Sequence, residues 1–230
     1  MKASVIVFPG SNCDRDVKIS LEKFGIKTSM VWHADAKLPK TDLVVLPGGF
    51  SYGDYLRCGS IASKSRIMKE VITHSKKGGL VMGICNGFQV LCEAGLLPGA
   101  LLRNRNQQFI CQNIYMRTET TISAVTSALE VGQVLQIPIA HAEGRYYADA
   151  DTLAAIQKND QVLFRYCDKD GNVNDSTNVN GAVDNIAGIT NSTRNVFGMM
   201  PHPERACSSE LGNIDGRLIL EALLMSKQPA

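Results

Sequence analysis

Cys85 stands in the run Leu80-Val81-Met82-Gly83-Ile84-Cys85-Asn86-Gly87-Phe88-Gln89, and His202-Pro203-Glu204 follows far downstream. An apolar stretch leads into Gly83-x-Cys85-x-Gly87 and a helical spacing follows at once. This is the thiol counterpart of a nucleophile elbow, in which small flanking residues let a strained turn lift the nucleophile out of a sheet. A free thiol with a pKa near ~8.5 is mostly protonated at neutral pH, so a nucleophilic cysteine needs help. The amino end of a helix supplies part of it, because exposed N–H groups and the helix dipole favour an anion. His202 would supply the rest as general base and later acid, with Glu204 holding the imidazole in one tautomer. Pro203 biases His202 toward extended backbone, where residues two apart point the same way. The chemistry implied is acyl transfer through a thioester.

Such a reaction also needs donors for the developing oxyanion. The backbone N–H of Asn86, next to the nucleophile, is one candidate. That of Gly49, in Pro47-Gly48-Gly49-Phe50-Ser51, is another, since glycine can turn its N–H inward. Taken singly, each motif has a plainer explanation. Gly-x-Cys-x-Gly also describes a buried structural cysteine, His-Pro-Glu also starts turns, and Pro-Gly-Gly is usually only a turn. Their weight is joint, because all three follow stretches that read as strands.

Those strands and their helices must position the chemistry. Short apolar runs at 3–8, 28–32, 42–46 and 80–84 read as strands, and 14–24, 61–75 and 86–95 as helices. The alternation argues for a parallel sheet covered by helices, with ligands beyond the carboxyl ends of its strands. Further on, 109–116, 120–124, 134–140 and 161–166 read as shorter, more alternating strands, a small antiparallel addition. Residues 168–185 are rich in Asn, Asp and Gly and read as a loop. Strands are expected at 186–190 and 196–200, and a helix at 214–225. No linker or repeat divides the 230 residues, so one α/β domain is expected.

Composition narrows the function classes. The chain is 44% hydrophobic and 20% charged, with 24 basic and 22 acidic residues, a balance that gives no reason to expect nucleic acid. Seven cysteines without metal-binding spacing suggest reduced thiols in the cytoplasm, and Cys13, Cys58, Cys92, Cys111, Cys167 and Cys207 read as structural. No apolar stretch reaches the roughly 20 residues a bilayer requires, so no membrane is expected. No metal-ligating cluster and no phosphate-binding loop with Lys and Ser/Thr are legible, so this chain is expected to carry no cofactor of its own.

The three blocks, in this order and spacing, resemble the class I (triad-type) glutamine amidotransferases. Gly48 to Gly59, His141-Ala142-Glu143-Gly144-Arg145 and Gly198 to Arg205 sharpen the resemblance toward a branch that serves purine biosynthesis. It covers nearly the whole chain. It implies one type 1 glutamine amidotransferase domain over residues 1–230, flavodoxin-like, with a mostly parallel central sheet, helices on both faces and the antiparallel addition. It implies that Cys85 attacks the carboxamide of glutamine, that His202 protonates the departing ammonia, and that water then releases glutamate. Gln89 is similar to a family position that holds the substrate, although by pattern alone it reads as a solvated helix residue. The resemblance further implies a separate synthetase subunit that uses ATP and Mg and receives the ammonia, together with a small third subunit. Departures occur at 104–109, at Ser65-Arg66, and at Asn178-Val179-Asn180-Gly181, where a proline is common. None touches the triad. His141 and Glu143 form a second polar pair, expected to shape the site or an interface and left outside the catalytic set. Two other functions remain open at this level. One is a cysteine hydrolase or deglycase, which commonly takes its histidine near the nucleophile; the other is a scaffold that kept the fold.

Overall fold

The computed structural model describes residues 1–226; residues 227–230, the end of the expected domain, lie outside it. The strands are β1 Lys2–Val7, β2 Lys27–Trp32, β3 Leu43–Leu46, β4 Leu80–Ile84, β5 Ala100–Leu102, β6 Ile110–Thr118, β7 Val134–His141, β8 Arg145–Tyr147, β9 Val162–Cys167, β10 Ile186–Thr190 and β11 Val196–Met199. The α-helices are α1 Asp14–Lys23, α2 Met68–Lys76, α3 Asn86–Glu93, α4 Ala150–Lys158 and α5 Gly216–Met225. None of them is long and apolar enough to cross a membrane.

Nine strands form one sheet in the order β2-β1-β3-β4-β11-β10-β9-β6-β7, and β5 pairs with β8 separately. From β2 to β11 every pairing is parallel. From β11 through β10, β9 and β6 to β7 every pairing is antiparallel. The two halves obey different burial rules. β3 and β11 are buried at every position, as parallel strands covered on both faces must be, whereas β7 alternates between buried and half-buried. The alternating runs of the middle sequence thus extend the main sheet rather than forming a sheet of their own.

Flat, the sheet would carry β7 four strand spacings from β11, roughly 19 Å away at ~4.8 Å per strand. Instead, the His202 N–H, just past β11, donates to the Pro138 carbonyl of β7 at 2.9 Å. The antiparallel half therefore curls back over the carboxyl ends of the parallel strands, as sheet twist and coiling permit. Asp215 and Asn213, at the entrance to α5, pin the curl by bonding the backbone of Gln136 at 2.8 and 2.6 Å.

Two expected elements differ. Residues 120–124 form turns, not a strand: the Thr126 hydroxyl bonds Ser123 and the Thr126 N–H bonds the Ser123 carbonyl, the local capture that Ser and Thr offer against a ladder. The helix expected over 61–75 begins only at Met68, because Ser65 is extended (ψ 151°) and breaks the pattern after a single tight turn at Ala62–Lys64. Helix α4 and the short strands β5 and β8 have no counterpart in the sequence expectations.

The sheet register brings Leu46 opposite Gly83, Gly83 opposite Gly198, and Ile84 opposite Met199, so β3, β4 and β11 end side by side. Helix α3 lies against this junction at a distance only glycine allows. A Cβ on Gly87 would fall 1.9 Å from the Leu46 carbonyl oxygen, and one on Gly83 would fall 2.7 Å from Gly87 backbone. Gly87→Ala is accordingly expected to destabilise the fold by about 2–3 kcal/mol or more, read as a lowered thermal midpoint; an unchanged midpoint would mean that α3 can ride outward freely.

Candidate active site

Cys85 is where β4 becomes α3. Its N–H is held by the Met199 carbonyl of β11 at 2.7 Å, while its own carbonyl already accepts from Phe88 and Gln89 in the first turn of α3. To serve both, the residue takes φ 50° and ψ −106°, left-handed backbone that costs a non-glycine residue about 1–3 kcal/mol. The thiol is thereby set at the helix amino terminus with Sγ 3.7 Å from the Ala140 carbonyl of β7. Asn86 follows as the first helical residue, and its N–H belongs to the turn that has no helical acceptor. Gly49 faces the same cavity in a backbone state (φ 130°) that suits glycine, and a Cβ there would fall 2.5 Å from the Asn12 backbone nitrogen.

His202 and Glu204 arrive after β11 and are both 2% exposed. The Nδ1–H of His202 donates to Glu204 Oε1 at 2.7 Å, which commits the ring to presenting Nε2 on its other side. Nε2 is buried with no hydrogen-bond partner among the described residues, and Cys85 lies close enough for its charge to act on the ring. Burial alone would push the imidazolium down. The negative charges of Glu204 and Cys85 outweigh it and raise His202 to about 10. Gly48 makes room: a Cβ there would sit 2.6 Å from the imidazole Cε1. The expected set of Cys85, His202 and Glu204, with Gly49 and Asn86 as oxyanion donors, is thus brought to one place.

A second thiol, Cys13, also lies beside the pair, with its Sγ and ligand atoms of His202 and Glu204 within 4.8 Å of one another. Burial first, then the Glu204 charge, pushes it up to about 12, so it stays a thiol, and it does not line the cavity that Cys85 faces. Its sulfur accepts from the Arg205 guanidinium at 3.0 Å. These three groups make a poor metal cradle. Donors around a tetrahedral zinc stand roughly 3.3–3.7 Å apart, longer than the 2.7 Å that joins His202 to Glu204, and Arg205 adds a competing cation.

The cavity at Cys85 measures about 240 Å³, and its walls include Asp54, Gln89, Arg103, His141 and Glu143. Gln89 is not the solvated helix residue its pattern suggests. It is 5% exposed, donates to the Glu143 carbonyl at 2.6 Å and accepts from Asn86 Nδ2 at 2.8 Å. The Asn86 amide in turn donates to Asp54 at 3.2 Å and accepts the Ser51 N–H. Burial, then Glu143, raises the Asp54 carboxyl, although hydrogen bonds from Cys58 and Asn86 oppose this. Arg103 lies 3.6 Å from Glu143 at the mouth. Asp54 and Arg103 escaped the sequence reading. Asp54 stands inside the block from Gly48 to Gly59, a usable signal, but nothing marked Arg103.

Three comparisons place the chain among known proteins. The family model described as "CobB/CobQ-like glutamine amidotransferase domain" matches residues 1–217. Curated relatives named phosphoribosylformylglycinamidine synthase subunit PurQ include that of Salinibacter ruber, 55% identical over 96% of this chain and 94% of its own length. That of Ruegeria pomeroyi is 52% identical over the full length of both. Among solved structures, a chain in the structure of PurLQS from Thermotoga maritima superposes with a TM-score of 0.88 at 43% identity, covering 99% of each chain. A glutamine amidotransferase from Thermotoga maritima shares the fold at 16% identity, with a TM-score of 0.58 over 99% of this chain and 91% of its own.

The buried pair has a measurable signature. Glu204→Gln removes the leading charge that holds the His202 proton, so the imidazolium should titrate well below about 10, as NMR of the histidine ring would report. A raised folded-state value stabilises the fold fully below the ordinary 6.5, and this is lost as pH climbs through about 10. The deficit of the variant should therefore be largest at about pH 6.5 and just below, shrink as pH rises from there, and be gone above about pH 10. A His202 titration identical in the two proteins would rule out Glu204 as the controlling group.

Proposed function

The chain belongs to the CobB/CobQ-like glutamine amidotransferase family, and on that footing we propose that it is the glutaminase subunit of phosphoribosylformylglycinamidine synthase. The observation that carries the mechanism is the strained turn at Cys85, which sets a thiol at a helix amino terminus beside the buried His202–Glu204 pair and at the wall of a small polar cavity. The cavity chemistry suits a zwitterionic amino acid. Asp54 and Glu143 can face its ammonium, Arg103 its carboxylate, and Gln89 the chain between them.

In this reading the Cys85 thiolate attacks the side-chain carbonyl of glutamine, and the N–H groups of Gly49 and Asn86 receive the oxyanion. Collapse of the tetrahedral adduct breaks the C–N bond while the His202 imidazolium gives its proton to the leaving nitrogen, releasing ammonia. Water then attacks the thioester, His202 takes its proton, and glutamate leaves as the thiolate returns. The high imidazolium value suits this order, because the proton is in place before the nitrogen departs. The ammonia passes to a synthetase subunit that uses ATP and Mg and makes formylglycinamidine ribonucleotide in purine biosynthesis, with a small third subunit completing the assembly. Relatives from such assemblies carry the names that support this part. This chain needs no cofactor of its own for the steps assigned to it.

In the reconstituted complex, an electrophilic glutamine analogue should label Cys85 alone among the seven cysteines, as peptide mass would show, and excess glutamine should protect it. Cys85→Ala should reduce glutamine-dependent turnover by about 10⁴-fold or more while turnover supported by added ammonia persists. Labelling at Cys13 instead, or a fully active Cys85→Ala, would defeat the assignment.

A further inference from the structure

His141 closes β7 next to Ala140, whose carbonyl touches the Cys85 thiol, and it lines the same cavity. Its ring is 3% exposed, and its Nε2 is buried with no hydrogen-bond partner among the described residues. The neighbours decide where its proton sits. Asn104 Nδ2 donates to the carbonyls of Gln108 and His141, each at 2.8 Å. The Oδ1 of Asn104 therefore points the other way, where it accepts the Gly144 N–H at 3.1 Å and faces His141 Nδ1 at 3.1 Å. An amide oxygen can only accept, so Nδ1 carries the hydrogen. Nε2 of the neutral ring is then a bare lone pair. Burial, followed by the charge of His202, holds His141 down to about 4, so the ring stays neutral under ordinary conditions. A protein seldom buries an acceptor without a donor unless a ligand brings one.

Resting on the glutaminase reading, we propose that Nε2 of His141 accepts a hydrogen bond from the side-chain carboxamide N–H of bound glutamine, and that this contact separates substrate from product. A carboxamide has N–H donors to offer; the side-chain carboxylate of glutamate has only lone pairs, which would meet the lone pair of Nε2. A site built to satisfy a donor rejects the analogue that lacks it, because its own buried group is left unpaired. The contact also serves the first step. With one N–H held at His141, the departing nitrogen is oriented to take its proton from His202 as the tetrahedral adduct, its C–S bond already formed, collapses and the C–N bond breaks. His141 itself neither gives nor takes a proton.

The test compares glutamine with the γ-methyl ester of glutamate, whose leaving atom bears no N–H, in the reconstituted complex. His141→Ala should lower kcat/KM for glutamine about 10–100-fold. The ester should change by less than about 3-fold, and inhibition by glutamate should strengthen relative to glutamine binding. A merely structural histidine would depress both substrates together, and that result, or no loss on either, overturns the proposal. A wild-type complex that turns over neither substrate removes the glutaminase reading and this inference with it. Should His141→Ala not fold, Cys85→Ala protein with ¹⁵N-labelled histidine answers the same question. The Nε2 resonance of His141 should move on saturation with glutamine and much less with glutamate, and an unmoved resonance overturns the proposal.

Discussion

The left-handed backbone at Cys85 is the constraint from which the rest of the site follows. A hydrogen bond to β11 on one side and the first turn of α3 on the other leave the residue no relaxed alternative. That geometry survives only because α3 can approach the sheet, which requires hydrogen in place of a side chain at Gly83 and Gly87. The glycines flanking Cys85 thus do different work from that usually assigned to turn residues. Neither has positive φ; both are packing residues, and the strained conformation belongs to the cysteine between them. The strain, about 1–3 kcal/mol, is carried by the close helix–sheet contact it permits.

Two histidines share this site and are driven in opposite directions. His202 is as buried as His141, and burial disfavours the charged form of both. What separates them is the partner at Nδ1. His202 meets a buried carboxylate there and rises to about 10; His141 meets a neutral amide oxygen and, with the charge of His202 nearby, falls to about 4. One ring therefore holds a mobile proton and the other a fixed lone pair. Pairs of titratable groups pushed apart by their surroundings are the usual means by which one site assigns acid and acceptor roles.

The antiparallel half of the sheet is part of the chemistry rather than an appendage. Its curl returns β7 to the ends of β4 and β11, where the Pro138 carbonyl fixes the backbone of His202 and the Ala140 carbonyl touches the thiol. The Asn-rich segment after β9 braces the same wall. Asn180 donates to the Gly144 carbonyl, and the N–H of Arg105 donates to the Asn180 carbonyl, beside the Asn104 that orients His141. The segments around Asn104 and Asn180 thus stand behind His141, one residue removed from the cavity.

Local information was enough for a good deal of this protein. Alternating apolar runs and helical spacings marked the parallel half, and three short motifs marked the chain positions of Gly49, of Cys85 and of the His202–Glu204 pair, because each depends on neighbours within a few residues. The failures were local as well: residues 120–124 have strand composition, yet Ser123 and Thr126 capture their own backbone, and Ser65 breaks a helix that periodicity carried through it. Other features depended on contacts between distant segments. The burial of Gln89 requires the Glu143 carbonyl, 54 residues away, and the tautomer of His141 requires Asn104, 37 residues away. The cavity requires β7 to curl back across four strands. A sequence names the groups that can do chemistry; which nitrogen holds the proton, and which thiol meets open space, is decided by burial and long-range hydrogen bonds that only the folded chain creates.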